Sequence, residues 1–145
     1  MTKHILATIA AVFMLAACDN FHASDNGDLD GLWQLTSVDT LSTGNSADVR
    51  EQGIYWAVQA KLLKIRDVRN IAIPVYFRFS LHDNTLTLSE PVADNRPISD
   101  SIITDVNTIR YYGLSHLTET LQVLHLSSGS MTLQSELLRM RFRKY

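Results

Sequence analysis

Residues 75–88 read Val-Tyr-Phe-Arg-Phe-Ser-Leu-His-Asp-Asn-Thr-Leu-Thr-Leu, and this stretch decides the class of fold. Apolar residues occupy every second position from Val75 to Leu81, which is the pattern of a strand with one buried face. Asp83-Asn84 separates this run from Thr85–Leu88, and both residue types accept the backbone angles of a tight hairpin turn. The stretch therefore predicts two antiparallel strands.

The same period of two recurs on both sides of this hairpin. It appears in the segments 31–38, 121–126, 131–133 and 138–143. Residues 54–68 are apolar but are interrupted by Lys61, Lys64 and Arg66. A bent strand is the preferred interpretation there, although a short helix also fits the spacing of the apolar residues. Residues 90–108 are polar and are expected to be flexible or partly helical.

About seven or eight strands are predicted in all, without the strand–helix alternation of a parallel sheet. Closing an antiparallel meander into a ring removes the exposed edges that it would otherwise leave. We therefore expect an all-β fold, an antiparallel up-and-down β-barrel of about eight strands.

Several segments resemble the lipocalin-like lipoproteins that are common in Bacteroides and related bacteria. Gly31–Val38 is similar to the opening G-x-W-x-L strand of lipocalin-like domains, and Leu138–Tyr145 with residues 131–133 looks like their closing strands. The pair Tyr55-Trp56 fits the start of their long second strand. The further signatures of classical lipocalins, and their frequent disulfide, are not recognisable. The resemblance implies a lipocalin-like barrel whose bottom is closed by Trp33.

The first eighteen residues have the layout of a bacterial lipoprotein signal. Lys3 and His4 precede an apolar run that ends in Leu15-Ala16-Ala17-Cys18. The run is too short to span a hydrocarbon core, which needs about 20 residues. The only cysteine of the chain stands where the lipobox of bacterial lipoproteins has the cysteine that is alkylated by a diacylglyceryl group. An ordinary signal peptide with an incidental Cys18 is the alternative.

These features predict three regions and a location. Residues 1–17 are expected to be a cleaved signal peptide, residues 18–30 lipidated Cys18 with a flexible tether, and residues 31–145 the barrel domain. Several acyl chains anchor a protein stably to a bilayer. The expected location is the bacterial cell envelope, with Cys18 in a membrane, most simply the outer membrane at its periplasmic or surface face. Acidic residues close behind Cys18 resemble the export signals of surface lipoproteins.

Composition and motifs argue against several classes of function. The net charge of −2 offers no basic surface for nucleic acid. No cysteine or histidine pattern of a metal site is present, so neither a metal nor a cofactor is expected. Ser128-Gly129-Ser130 is a turn without a nucleophile elbow, and the carboxylate pairs lie in polar loops. The chain is therefore not expected to be an enzyme. A hydrolase that uses a loop carboxylate or His116 is the least favoured alternative.

The aromatic residues suggest the leading functional hypothesis. An eight-stranded barrel is either filled by inward side chains or holds one small ligand. The hypothesis is a binding module for a small apolar or amphipathic molecule, whose cavity is lined by Phe77, Phe79, Val123 and Met140, with Tyr55 or Tyr76 as a polar contact. Core packing explains the same residues. The alternative is a filled barrel that contacts an envelope protein or glycan, through Tyr55-Trp56 and residues 111–113.

Overall fold

The structure is a computed structural model that describes residues 24–95 and 100–145. The predicted signal peptide, residues 1–17, and Cys18 lie outside the described residues. Within the described ranges the chain forms ten strands, two single-turn 3-10 helices (Gly27–Leu29 and Arg50–Gln52) and a short helix α1 (Asn107–Arg110). The strands are β1 (Gly31–Thr40), β2 (Ser46–Asp48), β3 (Ile54–Gln59), β4 (Leu62–Asp67), β5 (Val75–His82), β6 (Thr85–Ala93), β7 (Ser101–Ile102), β8 (Glu119–Leu126), β9 (Ser130–Gln134) and β10 (Leu138–Lys144).

Eight of these strands close into a ring in the order β1-β3-β4-β5-β6-β8-β9-β10. Every neighbouring pair is antiparallel, and β10 completes the ring by pairing with β1 from Trp33↔Lys144 to Thr40↔Leu138. The short strands β2 and β7 lie outside the ring, paired with β1 and β6. The prediction of an all-β antiparallel barrel of about eight strands is confirmed.

The up-and-down order sorts the connections into two ends of the barrel. The turns at residues 60–61, 83–84 and 127–129 lie at one end, together with the start of β1 and the end of β10. We call it the closed end. The loops after β1, β4, β6 and β9 lie at the other end, which we call the mouth.

Residues 54–68 form strands, as preferred from the sequence, but they form a hairpin rather than one bent strand. β3 and β4 pair from Ile54↔Asp67 to Gln59↔Leu62 around a two-residue turn at Ala60-Lys61. Ala60 has a φ of +53°, a left-handed conformation that costs a residue with a Cβ about 1 kcal/mol. Ala-Lys carries no turn signal, which explains why the sequence did not predict this hairpin.

The expectation for residues 90–108 is wrong at its start. β6 extends to Ala93, because a β-bulge places both Glu90 and Pro91 opposite Phe77. Glu90 has a φ of +51°, and a bulge is one of the few places in a sheet where proline is tolerated. The expected helix appears only as the four residues of α1.

The barrel interior is filled by large side chains. Trp33, Trp56 and Phe77 are fully buried, Phe142 is nearly so, and the Trp56 and Phe142 rings meet at 4.8 Å between centroids. Trp33 lies at the closed end, as the resemblance implied. Its indole N–H donates to the Leu29 carbonyl at 2.9 Å. Alternation of inward and outward residues, clearest along β3, β6 and β9, accounts for this packing.

Packed structure begins before Gly31. Leu29 belongs to the segment expected to be a flexible tether, yet it is fully buried against the barrel core. Residues 24–30, which we call the N-terminal segment, form a 3-10 turn and hydrogen-bond to the barrel. A single leucine in a polar segment gives no periodic pattern from which its burial could be predicted. Leu29 is buried because it packs on the closed end of the barrel.

Candidate ligand site at the mouth of the barrel

Residues 100–118, which we call the mouth segment, lie across the mouth. Four of its apolar side chains are buried and pack on the core of the barrel: Ile103, Ile109, Tyr112 and Leu114. The segment is joined to the wall where the Ile103 N–H donates to the Pro91 carbonyl at 2.9 Å. The mouth segment therefore covers the mouth of the barrel beside β6.

Asp67 connects the mouth segment to the loop after β4. Its side chain is only 2% exposed, and it accepts the backbone N–H groups of Arg69 at 2.7 Å and Ile71 at 2.8 Å. The Tyr111 hydroxyl donates a further hydrogen bond to it. Burial alone would raise the pKa of this carboxyl group, but the hydrogen bonds outweigh it and hold the pKa of Asp67 below its usual value.

Two further buried polar groups fix the mouth segment. The Tyr112 hydroxyl donates to the Ile73 carbonyl at 2.9 Å, and burial raises the pKa of Tyr112 so that it stays a neutral donor. Glu119, at the start of β8, accepts the N–H groups of Ser115 at 2.7 Å and His116 at 3.0 Å. Glu119 therefore fixes the backbone of the mouth segment at residues 115 and 116.

A pocket of about 300 Å³ remains between the mouth segment and the wall formed by β1, β2 and β10. Its floor is apolar, and its lining also includes several polar residues. The apolar members are Leu35, Val38, Ala47, Val49, Ile54, Leu138 and Met140, and the polar ones include Asn45, Gln52, Arg110 and Tyr111. Arg110 is the only charged side chain among the described residues that line the pocket.

The six residues predicted to line a cavity do not come together in it. Met140 lines the mouth pocket, whereas Phe77 is buried in the core and Phe79 and Val123 pack against that core. Tyr55 and Tyr76 alternate with the buried residues of β3 and β5 and lie on the outer face. There Tyr55 contacts Tyr145 edge to face, and the Tyr76 hydroxyl lies 3.2 Å from Lys64 Nζ. The strand period thus places these tyrosines opposite to the predicted side.

A larger groove, of about 630 Å³, lies on the outer wall beside β7. Two of the predicted cavity residues, Tyr76 and Phe77, line it together, but most of the lining residues point outward. Leu62 and Ile102 give it an apolar character, and the exposed ion pair between Arg78 and Glu90, 3.1 Å apart, borders it. We call it the outer groove.

The residues predicted for a contact surface are partly unsuitable. Trp56 is fully buried and Tyr112 is 1% exposed, so neither can touch a partner. Tyr55, Tyr111 and Gly113 are half-buried. The pocket residues Leu35, Val38 and Ile54 were missed, although Leu35 shares a face of β1 with the singled-out Trp33. Knowing that these ends of β1 and β3 reach the mouth requires the topology.

Two further observations concern metals and membranes. Among residues 24–95 and 100–145, no three His, Cys, Asp or Glu side chains are grouped so that they could hold a metal ion. None of the helices in these ranges is long and apolar enough to cross a bilayer.

Comparison with known proteins agrees with the fold. The sequence model of the lipocalin-like domain family matches residues 13–145. A search of the curated proteins finds no significant match. A lipocalin-like protein from Bacteroides uniformis ATCC 8492 is similar in structure, with a TM-score of 0.62 and 22% identity over 82% of this chain and 100% of that one.

A second similar structure is an uncharacterized protein from Bacteroides eggerthii DSM 20697. It has a TM-score of 0.61 and 18% identity over 80% of this chain and 98% of the other. At these sequence identities the two structures support the fold assignment alone. The family match spans nearly the whole sequence, and it confirms the resemblance noted from the opening and closing strands. This chain belongs to the family of lipocalin-like domain proteins.

Proposed function

We propose that the protein is a lipid-anchored lipoprotein of the bacterial cell envelope whose mouth pocket binds a small apolar or amphipathic molecule without covalent chemistry. The mouth pocket is the observation that carries the proposal. Ligand sites are commonly concave, apolar and placed in the mouths of β-barrels, and 300 Å³ is at the lower end of their usual range. Large side chains fill the barrel below, so the ligand lies at the mouth rather than deep inside.

The lining of the pocket suggests the chemistry of this ligand. An apolar body would rest on Val38 and Leu138, which are half-buried and offer no polar side-chain atoms. Arg110 would favour a ligand with an acidic or strongly polar group at one end. A small anionic amphiphile matches both the apolar lining of the pocket and the charge of Arg110.

The lipid anchor is supported by the sequence around Cys18. The small residues Ala16 and Ala17, the apolar run before them and the lack of any other cysteine favour lipidation. The match to the family begins at residue 13, so it includes these residues. An anchored carrier needs no helix that crosses the bilayer.

Binding of 8-anilinonaphthalene-1-sulfonate, a small anionic amphiphile, tests the pocket. We expect saturable binding to the lipidated protein in mild detergent, measured by probe fluorescence with the detergent alone as the blank. Val38→Trp should abolish it by filling the pocket, and Arg110→Gln should weaken it about tenfold by removing the charge. Leu124→Trp introduces the same side chain at an exposed position on β8 and should leave binding unchanged.

Native mass spectrometry of the protein released gently from its membrane would identify a natural ligand. A retained small molecule that the Val38→Trp variant lacks would support the proposal. Binding of the probe that is equal in the native protein and the Val38→Trp variant would contradict it, since the dye would then lie elsewhere.

The outer groove favours a second candidate function, contact with an envelope protein or glycan. Ile102 is 78% exposed and Leu62 is 46% exposed, and both line this groove. A photo-crosslinking residue at position 102 would capture a specific partner if the outer wall is the functional surface. The same residue at position 124 is the matched exposed control.

A further inference from the structure

We propose that the closed end of the barrel faces the membrane and that the mouth opens away from it, toward the aqueous phase. The inference rests on the proposed lipidation of Cys18. It adds the source of the ligand: a molecule that enters the mouth pocket comes from the aqueous side and does not move sideways out of the bilayer.

The N-terminal segment is fastened to the closed end from its first described residue. The Ala60 N–H donates to Ser24 Oγ at 2.7 Å, and Asn26 Nδ2 donates to the Ala60 carbonyl at 2.7 Å. Ala60 lies in the turn between β3 and β4. Ser24 and Asn26 therefore satisfy both backbone groups of a turn residue at the closed end.

Further bonds hold the N-terminal segment in this place. The Asp30 carboxylate accepts the Ser24 hydroxyl at 2.5 Å and the Asn26 N–H at 2.9 Å, which folds the segment on itself. Lys144 Nζ donates to the Asp28 carbonyl at 2.9 Å, and Trp33 donates to the Leu29 carbonyl. The segment is thus joined to β1, to β10 and to the β3–β4 turn, all at one end of the barrel.

The chain between Cys18 and this attachment is short. Cys18 precedes Ser24 by six residues, which reach at most about 22 Å when fully extended. Strands of eight to ten residues such as β1, β5 and β6 are about 26 to 33 Å long. At the usual tilt of about 40° the barrel wall alone is about 20 to 25 Å tall, and the mouth loops lie beyond it. A lipid at Cys18 therefore holds the closed end near the bilayer and the mouth away from it.

The closed end also offers groups suited to a lipid surface. Tyr145 is 76% exposed beside the end of β10, and Leu81 is exposed near the end of β5. A tyrosine places an apolar ring and a polar hydroxyl together, which suits the boundary between lipid and water. Charges of both signs, Lys61 and Asp83, lie exposed at the same end, so anionic lipid is not required.

Two positions at opposite ends of β9 test the orientation. Ser128 is exposed in the turn at the closed end, and Glu136 is exposed in the turn at the mouth. In the lipidated protein Cys18 is alkylated, so Ser128→Cys or Glu136→Cys supplies the single free thiol for a nitroxide label. Each labelled protein is reconstituted into phosphatidylcholine vesicles that contain a nickel-chelating lipid, and relaxation of the label by the nickel is measured.

We expect at least a threefold stronger relaxation of the label at position 128 than of the label at position 136. Insertion of about twenty Gly and Ser residues between residues 23 and 24 should remove the difference, because the tether then exceeds the height of the barrel. Equal relaxation at both positions without the insertion, or stronger relaxation at 136, would overturn the orientation.

Flotation of the vesicles separates this inference from the proposed anchor. The labelled proteins should float with the vesicles, and a Cys18→Ser variant should not. A protein that floats but shows equal relaxation overturns the orientation alone. A protein with a free Cys18 thiol that fails to float overturns the anchor and the orientation together.

Discussion

Two tryptophans in the barrel core differ in their hydrogen bonding. Trp33 and Trp56 are paired side by side on the adjacent strands β1 and β3, and both are fully buried. The Trp33 indole N–H donates to the Leu29 carbonyl, whereas the Trp56 indole N–H has no hydrogen-bond partner among the described residues. The pair therefore compares a buried indole that donates a hydrogen bond with one that does not.

Trp33→Phe should destabilise the protein more than Trp56→Phe. Both changes remove the same volume, but the first also leaves the Leu29 carbonyl buried without its donor, which costs about 1 to 3 kcal/mol. Urea unfolding followed by circular dichroism measures the two free energies of unfolding. Equal losses would mean that the Trp33 hydrogen bond contributes nothing net to stability.

The residue scale also shows where prediction from the sequence succeeds and fails. Asp83-Asn84 was predictable because both residues adopt left-handed angles locally, with φ values of +47° and +58°. Met140 was predictable as an inward residue because β10 alternates strictly. Leu29 was not, because only the tertiary structure shows what a lone leucine covers. Tyr55 and Tyr76 were misplaced because aromatic character outweighed their position in the alternation.

At the scale of elements, the β3–β4 hairpin depends on contacts from outside it. Its turn has no glycine, asparagine or proline, and Ala60 adopts a left-handed conformation. Ser24 and Asn26 provide the compensating hydrogen bonds from a segment more than thirty residues away. Local patterns predicted the strands and could not predict a turn that is stabilised in this way.

The hairpin gives a prediction in which one substitution has opposite effects at two sites. Ala60→Gly should stabilise the protein by about 0.5 to 1 kcal/mol, because glycine adopts positive φ without a Cβ clash. Ala57→Gly, in the neighbouring strand β3, should destabilise it by about 0.5 to 1 kcal/mol through the backbone entropy that glycine loses. Thermal unfolding of both variants measures the shifts. A loss of stability in Ala60→Gly would show that its turn is not strained.

The position of the ligand site depends on how separate elements of the fold meet. The mouth pocket is formed where β1, β2 and β10 meet the mouth segment, which is distant from them in sequence. The sequence predicted that strands would enclose apolar side chains. It left a filled barrel as an alternative, and it could not predict a pocket beside Arg110, because that depends on which loop covers the mouth.

At the scale of the whole molecule, the buried carboxylate of Asp67 links stability to pH. The pKa of Asp67 is lower in the folded protein than its ordinary value of 3.8. Its contribution is therefore fully present above pH 4 and is lost as the pH falls through the folded value. The Asp67 carboxylate stabilises the contact between the barrel and the mouth segment, because it accepts a hydrogen bond from Tyr111.

Asp67→Asn should cost about 2 to 3 kcal/mol at pH 7, because an amide nitrogen replaces one of the oxygens that accept charge-assisted hydrogen bonds. The difference from the native protein should shrink as the pH falls below 4. Tyr111→Phe removes one donor and keeps the charge, so it should cost about 1 kcal/mol and retain the acid dependence. Unfolding in urea between pH 3 and 7 measures both. A constant difference across this range would contradict the role of the Asp67 charge.

The seam between β1 and β10 sets a condition on how the protein is made. The Thr36 hydroxyl donates to the Arg141 carbonyl across 105 residues of sequence, and Trp33 pairs with Lys144, the penultimate residue of the chain. Contacts of such long range close slowly, and a chain that emerges amino terminus first leaves this edge of β1 open until β10 has emerged. Until then the edge of β1 is unpaired and prone to aggregation. A chaperone that shields this edge during synthesis would therefore have a defined time to act, from the emergence of β1 until the arrival of Lys144.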